Sequence, residues 1–162
     1  MIPVDAGKTR KKIRKAIASI LKNKTNAGKN VFPNSSVPTL QDELPVILVY
    51  PRSENASKFN QAPRELEREI DFAIEIVDQG PEFDAGGNPP ENENTLEDRL
   101  DDIANQVEIE MARDETLGGE ADDSILTNSE FEYDSSGSKP IGSARMTYSV
   151  TYYTMRPANV SE

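Results

Sequence analysis

The stretch from Arg64 to Val77 (RELEREIDFAIEIV) constrains the fold more than any other part of the chain. Its even positions are mostly apolar from Leu66 onward, and its odd positions are mostly carboxylates as far as Glu75. An extended strand sends successive side chains to opposite faces, whereas a helix would scatter the same residues around its circumference. The alternation therefore predicts a half-buried antiparallel strand. We expect buried Ile70, Phe72 and Ile74 on one face, and more exposed Glu67, Glu69, Asp71 and Glu75 on the other.

The composition excludes several kinds of site. The chain has no cysteine, so a disulfide framework, a thiolate metal site and a cysteine nucleophile are impossible. It has no histidine, which removes the commonest general base and the commonest metal ligand. No apolar run approaches the roughly 20 residues of a membrane span, and the basic N-terminal region leads into no signal-type segment. We expect a single domain, residues 1–162, made in a reducing cytoplasm and without a membrane partner.

The net charge of −11 conceals a strong asymmetry along the chain. Residues 1–30 carry nine Lys and Arg against one Asp, a net charge of +8. Residues 31–162 carry nine Lys and Arg against 28 Asp and Glu, a net charge of −19. A basic segment on an acidic body indicates a cationic arm for an anionic partner, or contact between the basic segment of one subunit and the body of another.

The basic segment is predicted to form an amphipathic helix over residues 8–23. Apolar residues recur at steps of three and four positions, which places them on one stripe, and Lys and Arg cover the rest. The outer surface is either a solvated face or a partner surface. A nucleic-acid-binding arm is less favoured, because no aromatic or glycine-rich recognition motif accompanies the charges. The candidate contact residues here are Arg10, Lys11, Arg14 and Lys15.

Residues 24–40 are predicted to form a long loop with at most one short strand, near Asn30–Phe32. The run Leu44–Tyr50 (LPVILVY) is typical of a buried strand, and Pro51 is expected to end it. The polar segment Arg52–Ala62 has the composition of a turn. Together these features predict a strand pair over residues 44–77, joined as a wide hairpin.

Residues 78–94 combine glycine, proline and acidic residues, which predicts a flexible exposed loop. The spacing of its carboxylates does not match a calcium-binding EF-hand loop. A second helix is predicted over residues 95–114, capped by Thr95 and Asp98, and Gly118 and Gly119 follow its end. A C-terminal strand pair is predicted over residues 125–155. Its strands are Ile125–Tyr133, with Ile125, Phe131 and Tyr133 on one parity, and Ser143–Met155.

The predicted fold class is α+β: a mainly antiparallel sheet of about four strands with two helices packed on one face. The other face would carry the row of acidic residues of the strand Arg64–Val77, which we call the central strand.

No motif for catalysis or nucleotide binding occurs in the chain. The acidic pairs Asp101–Asp102, Glu108/Glu110 and Asp122–Asp123 could serve glycoside or metal chemistry, but their spacing is also that of solvated faces. We therefore expect a protein that is not an enzyme, with no catalytic residue, cofactor or metal.

The order of elements resembles the phage tail terminator proteins, of the type of the lambda minor tail protein U. The resemblance spans roughly residues 10–154 and is carried by six consecutive pieces. These are the basic helix RKKIRKAIASIL, the strand LPVILVYPRSE, the strand RELEREIDFAIEIV, the helix LEDRLDDIANQVEIEMARD, the turn DETLGGEADDSIL and the closing strand TYSVTYYT.

The resemblance implies a virion structural protein of the tail and neck. It would assemble as a six-subunit ring that caps the tail tube, stops its polymerisation and joins the neck or connector on the head side. DNA would pass through this ring without specific binding. The outward acidic residues Glu67, Glu69 and Asp71 are further candidate contact residues. The alternatives are a head–tail connector or neck-joining protein and a nucleic-acid-binding accessory protein that uses the basic helix.

Overall fold

A computed structural model describes residues 2–36, 43–61, 64–88, 90–91, 94–134, 137 and 139–156. Its elements are helix α1 (Ala6–Leu21), strands β1 (Val31–Phe32), β2 (Val46–Gln61) and β3 (Arg64–Gln79), helix α2 (Leu96–Arg113), and strands β4 (Asp123–Asp134) and β5 (Ile141–Met155). The strands form one sheet in the order β1-β2-β3-β5-β4. The pair β1–β2 is parallel and the other pairs are antiparallel.

The α+β class and the mostly antiparallel sheet are confirmed. The sheet has five strands rather than about four, because the short strand expected near Asn30–Phe32 joins its edge as β1. Both helices pack on one face of the sheet and share its main hydrophobic core. That core includes Ile13, Ile17 and Leu21 of α1, Leu100, Ile103 and Val107 of α2, and the inward row of β3.

The central strand prediction is confirmed in its register. Ile70, Phe72 and Ile74 are buried under the helices, whereas Glu69 is exposed and Asp71 is half-buried on the other face. Part of that other face is closed, however. Val46, Leu48 and Val77 form a second buried cluster there with Phe32, Leu44, Tyr50 and Ile141, so only the rest of the acidic row is open to solvent.

The prediction that Pro51 ends the second strand is wrong. β2 continues to Gln61, through the segment that was expected to be a turn, and pairs with β3 along its whole length. Among the described residues, β1 pairs with Ile47 and Leu48 only, so Pro51 lies on an edge of the sheet, where a missing N–H is tolerated, and a bulge between Pro51 and Ser53 accommodates it. The polar composition of residues 52–61 reflects a strand that extends beyond the core, not a turn. Ala62 lies outside the described residues.

Both helices begin at side-chain caps. Asp5 accepts a hydrogen bond from Lys8 N at 3.0 Å, which starts α1 two residues before the predicted position. Thr95 and Asp98 form the expected capping box of α2. The left-handed backbone expected after α2 is present at Gly118 and Gly119, with φ of 71° and 86°. Within the described residues, neither helix has the length and apolar content that crossing a membrane requires.

Two further boundaries differ from the predictions. Asp78 and Gln79 belong to β3 and not to the loop over residues 78–94, whose predicted flexibility stays a prediction. In β4 a bulge between Leu126 and Asn128 divides the residues that were expected to share one parity. Ile125 therefore lies on the open face beside Ser149, whereas Phe131 and Tyr133 lie on the helix-covered side.

Candidate functional site

The outer surface of α1 is a narrow stripe of lysines. Successive helical residues are about 100° apart, so these lysines fall within one sector of about 100° that faces away from the sheet. All of them are exposed. We call this surface the lysine stripe: Lys8, Lys11, Lys12 and Lys15. It contains two of the candidate contact residues, Lys11 and Lys15.

Arg10 points toward the sheet, where its guanidinium group is bound, and its side chain is partly exposed. Its Nη1 lies 3.0 Å from Glu54 Oε2, and the same carboxylate oxygen receives Arg68 Nη1 at 2.8 Å. Tyr152 OH donates to the other oxygen of Glu54, and Arg68 Nε donates to Thr154 Oγ1 at 2.8 Å. Burial, together with the hydrogen bond to Glu54, raises the pKa of Tyr152 to about 12. This network anchors the N-terminal turns of α1 to β2, β3 and β5.

Arg14, the fourth basic candidate, is also partly enclosed. The residue is half-buried, and its Nε is buried without a hydrogen bond to any described residue. The four basic candidates thus fall into two classes: the arginines flank the packed side of α1, and the lysines face solvent. Sequence reasoning placed all four on the outer surface and did not identify Glu54, because its partners are distant in the sequence.

The three acidic candidates lie together on the open side of β3. Glu67 accepts a hydrogen bond from Tyr153 OH at 3.3 Å. Glu69 is exposed and is aligned across the sheet with Thr151 of β5, which in turn is aligned with Asp123 of β4. Asp71 is half-buried beside Ser53. The antiparallel pairing therefore adds a carboxylate from a third strand to the row on β3.

Aromatic surface adjoins these carboxylates. The rings of Phe59 and Tyr153 lie with their centroids 4.9 Å apart, and Phe59 is 54% exposed. They also line an open cleft of about 450 Å³ that includes Thr9 of α1, Tyr152 and Asp122, among others. We call the combined surface the distal sheet patch: Phe59, Glu67, Glu69, Asp71, Asp123 and Tyr153. Sequence reasoning missed Phe59, because it stood in a predicted turn, whereas Tyr153 lies in the predicted closing strand.

Elsewhere on the open face, Arg145 balances the carboxylates of Glu75 and Glu130. Arg145 Nε lies 3.2 Å from Glu75 Oε1, and its Nη1 lies 3.6 Å from Glu130 Oε2. Tyr50 OH donates to Glu75 at 2.6 Å, and burial with this hydrogen bond raises the pKa of Tyr50. Glu75 is therefore engaged within the chain, which separates it from the acidic patch.

The acidic pairs considered for chemistry are not assembled into a metal site. In the described part of the chain, no group of three or more carboxylates is placed to hold a metal ion. Asp101 and Asp102 are exposed on α2, and Glu110 of the second pair lies 3.0 Å from Arg113. No protein-family model matches this chain, and no curated protein sequence matches it either.

Proposed function

We propose that this protein is a phage tail terminator, which forms a ring on the end of a tail tube, stops polymerisation of the tube and provides the surface that joins the neck. Two kinds of observation support the proposal. The order of elements resembles that family from the basic helix to the aromatic closing strand. The α+β layout of one sheet covered on one face by two helices agrees with what the resemblance implies.

The single observation that carries the proposal is the placement of charge. The lysine stripe lies on the outer side of the helix layer, and the distal sheet patch lies on the opposite side of the sheet. A ring of identical subunits needs two different, complementary surfaces on each subunit, because only a heterologous contact continues from one copy to the next. The opposed charges of these two surfaces meet this requirement.

The acidic body also suits a ring through which DNA must pass. Residues 31–162 carry a net charge of −19, and like charges repel a polyanion and disfavour its binding. In this proposal the protein is part of the virion, where it contacts the tail tube protein on one side and the neck or connector on the other.

A nucleic-acid-binding accessory protein is a second candidate function, favoured by the exposed lysines of α1 alone. The two functions predict different behaviour on immobilised DNA. Contacts to phosphates weaken steeply as salt rises, so an arm that binds DNA would be retained at low salt and released at moderate salt. A tail terminator would instead pass through the column and bind the purified tube protein.

The decisive experiment removes the protein from an infecting phage and examines the tails by electron microscopy. We expect tails of uncontrolled length, or tails that do not join heads, and we expect an expressed copy of the protein to restore normal particles. Tails of fixed length attached to full heads in the absence of the protein would refute the proposal, as would its absence from purified virions.

A further inference from the structure

We infer that the lysine stripe of one molecule docks on the distal sheet patch of a second copy of this chain. The inference rests on the proposed function in one step: it prefers a contact that can repeat around a ring to one that closes a symmetric pair. Everything else in it follows from the placement of side chains on the two faces of the molecule.

The distal sheet patch has the composition that receives lysine side chains. Its carboxylates come from two strands, Glu67, Glu69 and Asp71 from β3 and Asp123 from β4. The exposed ring of Phe59 and its neighbour Tyr153 supply aromatic faces, which attract ammonium groups. Ile125, 60% exposed on the same face, offers apolar surface for the aliphatic stems of lysines.

The two surfaces also agree in dimension. Lys8 and Lys15 are seven residues apart on a helix, a distance of about 10 Å along its axis at 1.5 Å per residue. Glu67 and Asp71 are four residues apart on a strand, about 13 Å at 3.3 Å per residue. The length of α1 that carries these lysines is therefore similar to the length of β3 that carries the acidic row.

The contact cannot form within one molecule, because the carboxylates of the patch lie on the face of the sheet opposite α1. Two copies also cannot form two such contacts with each other, because the stripe and the patch of one copy point in opposite directions. Each copy therefore binds one neighbour through its stripe and another through its patch. This polarity is what distinguishes the inferred contact from a symmetric dimer.

The exposed carboxylates of α2 present the nearest rival. Asp101 and Asp102 lie in the same helix layer as the lysine stripe. Two copies could set α1 against α2 of the partner in both directions, which would make a closed symmetric pair and could not continue to a ring.

The test uses two neutralised variants of the full chain. The stripe variant carries Lys8→Gln, Lys11→Gln, Lys12→Gln and Lys15→Gln, and the patch variant carries Glu67→Gln, Glu69→Gln, Asp71→Asn and Asp123→Asn. Analytical ultracentrifugation measures association at ionic strengths from about 0.01 M to about 1 M, where screening grows strongly. We expect the native protein to assemble at low salt and to dissociate as salt rises. Each variant alone should show an apparent dissociation constant raised about tenfold or more.

The mixture of the two variants is the informative sample. The stripe variant keeps its patch and the patch variant keeps its stripe, so an equimolar mixture should form a one-to-one pair and nothing larger. As a control, neutralising Lys24, Lys29, Arg113 and Lys139 to Gln removes the same charge elsewhere and should leave assembly unchanged. Circular dichroism confirms that all variants are folded.

Several results would overturn the inference. These are a native protein that stays monomeric at low salt and millimolar concentration, an unchanged apparent dissociation constant in the patch variant, or a mixture that does not pair. Loss of assembly on Asp101→Asn with Asp102→Asn, and not in the patch variant, would assign the contact to α2. Those results would refute the docking contact and would not refute the proposed function. Normal tails in phage without the protein would refute the proposed function and would not refute the docking contact.

Discussion

Arg99 of α2 holds the carboxylate of Asp78, at the end of β3, through two hydrogen bonds. Nε lies 2.9 Å from Oδ2 and Nη2 lies 3.2 Å from Oδ1. Asp78 is 1% exposed, whereas 41% of the Arg99 side chain remains in contact with solvent. The pair thus connects the second helix to the central strand through a carboxylate that has almost no access to water.

Removal of Arg99 should therefore be costly. We expect Arg99→Ala to lower the free energy of unfolding by about 2–4 kcal/mol, because a buried carboxylate loses its charged partner. Arg113→Ala is the matched control, since Arg113 is 69% exposed and its pair with Glu110 should contribute less than about 1 kcal/mol. Urea titrations of the three proteins provide the comparison, and equal losses in both variants would contradict the assigned role of Asp78.

Phe72 should be the most sensitive position of the central strand. Its side chain is fully buried, so Phe72→Ala should lower the free energy of unfolding by about 3–5 kcal/mol. Phe59→Ala removes the same side chain from an exposed position and should cost about 1 kcal/mol or less. A larger loss for Phe59 than for Phe72 in thermal or urea denaturation would reverse the assignment of the two faces of the sheet.

Arg10 and Lys11 are adjacent in sequence and should behave differently. Arg10→Ala removes one of two cations from the half-buried Glu54 and should lower the free energy of unfolding by about 1–3 kcal/mol. Lys11→Ala leaves an exposed position and should be silent within about 0.5 kcal/mol. Denaturant midpoints measured side by side are sufficient, and a silent Arg10→Ala would exclude an anchoring role for this network.

Tyr152 should make stability fall in alkaline solution. Its pKa is raised from the ordinary 10.0 to about 12 in the folded protein, because the side chain is buried and bound to Glu54. The unfolded chain therefore loses this proton first, so the contribution is complete below about pH 10 and is lost as pH rises towards about 12. We expect a contribution of roughly 2 kcal/mol over this interval.

Tyr152→Phe separates this effect from the titration of lysines and of the other tyrosines. The variant should be less stable at neutral pH, because Glu54 loses a donor, and its stability should decline less steeply between about pH 10 and 12. Urea unfolding at a series of pH values measures both effects. An unchanged alkaline slope would mean that Tyr152 ionises equally in the folded and unfolded chains.

The amino-acid sequence by itself determined the periodic features of this protein. The alternation over Arg64–Val77, the two amphipathic helices, the capping box at Thr95 and the closing strand are local patterns, and each fixes which side chains share a face. They were sufficient to predict the α+β class, the helix-covered face and the acidic row on β3. Local patterns carry this information because a face repeats every two residues in a strand and every 3.6 in a helix.

Only the tertiary structure decided what those faces contain. Glu54 meets Arg10 across 44 positions of sequence, and this contact divides the basic residues of α1 into anchoring arginines and exposed lysines. Pro51 and the residues after it read as a turn in isolation, yet pairing with β3 extends them as a strand and brings Phe59 beside Tyr153. The bulge in β4 turned Ile125 to the open face. These outcomes depend on register, bulges and edge position, which are set by the packing of distant segments and have no periodic signature along the chain.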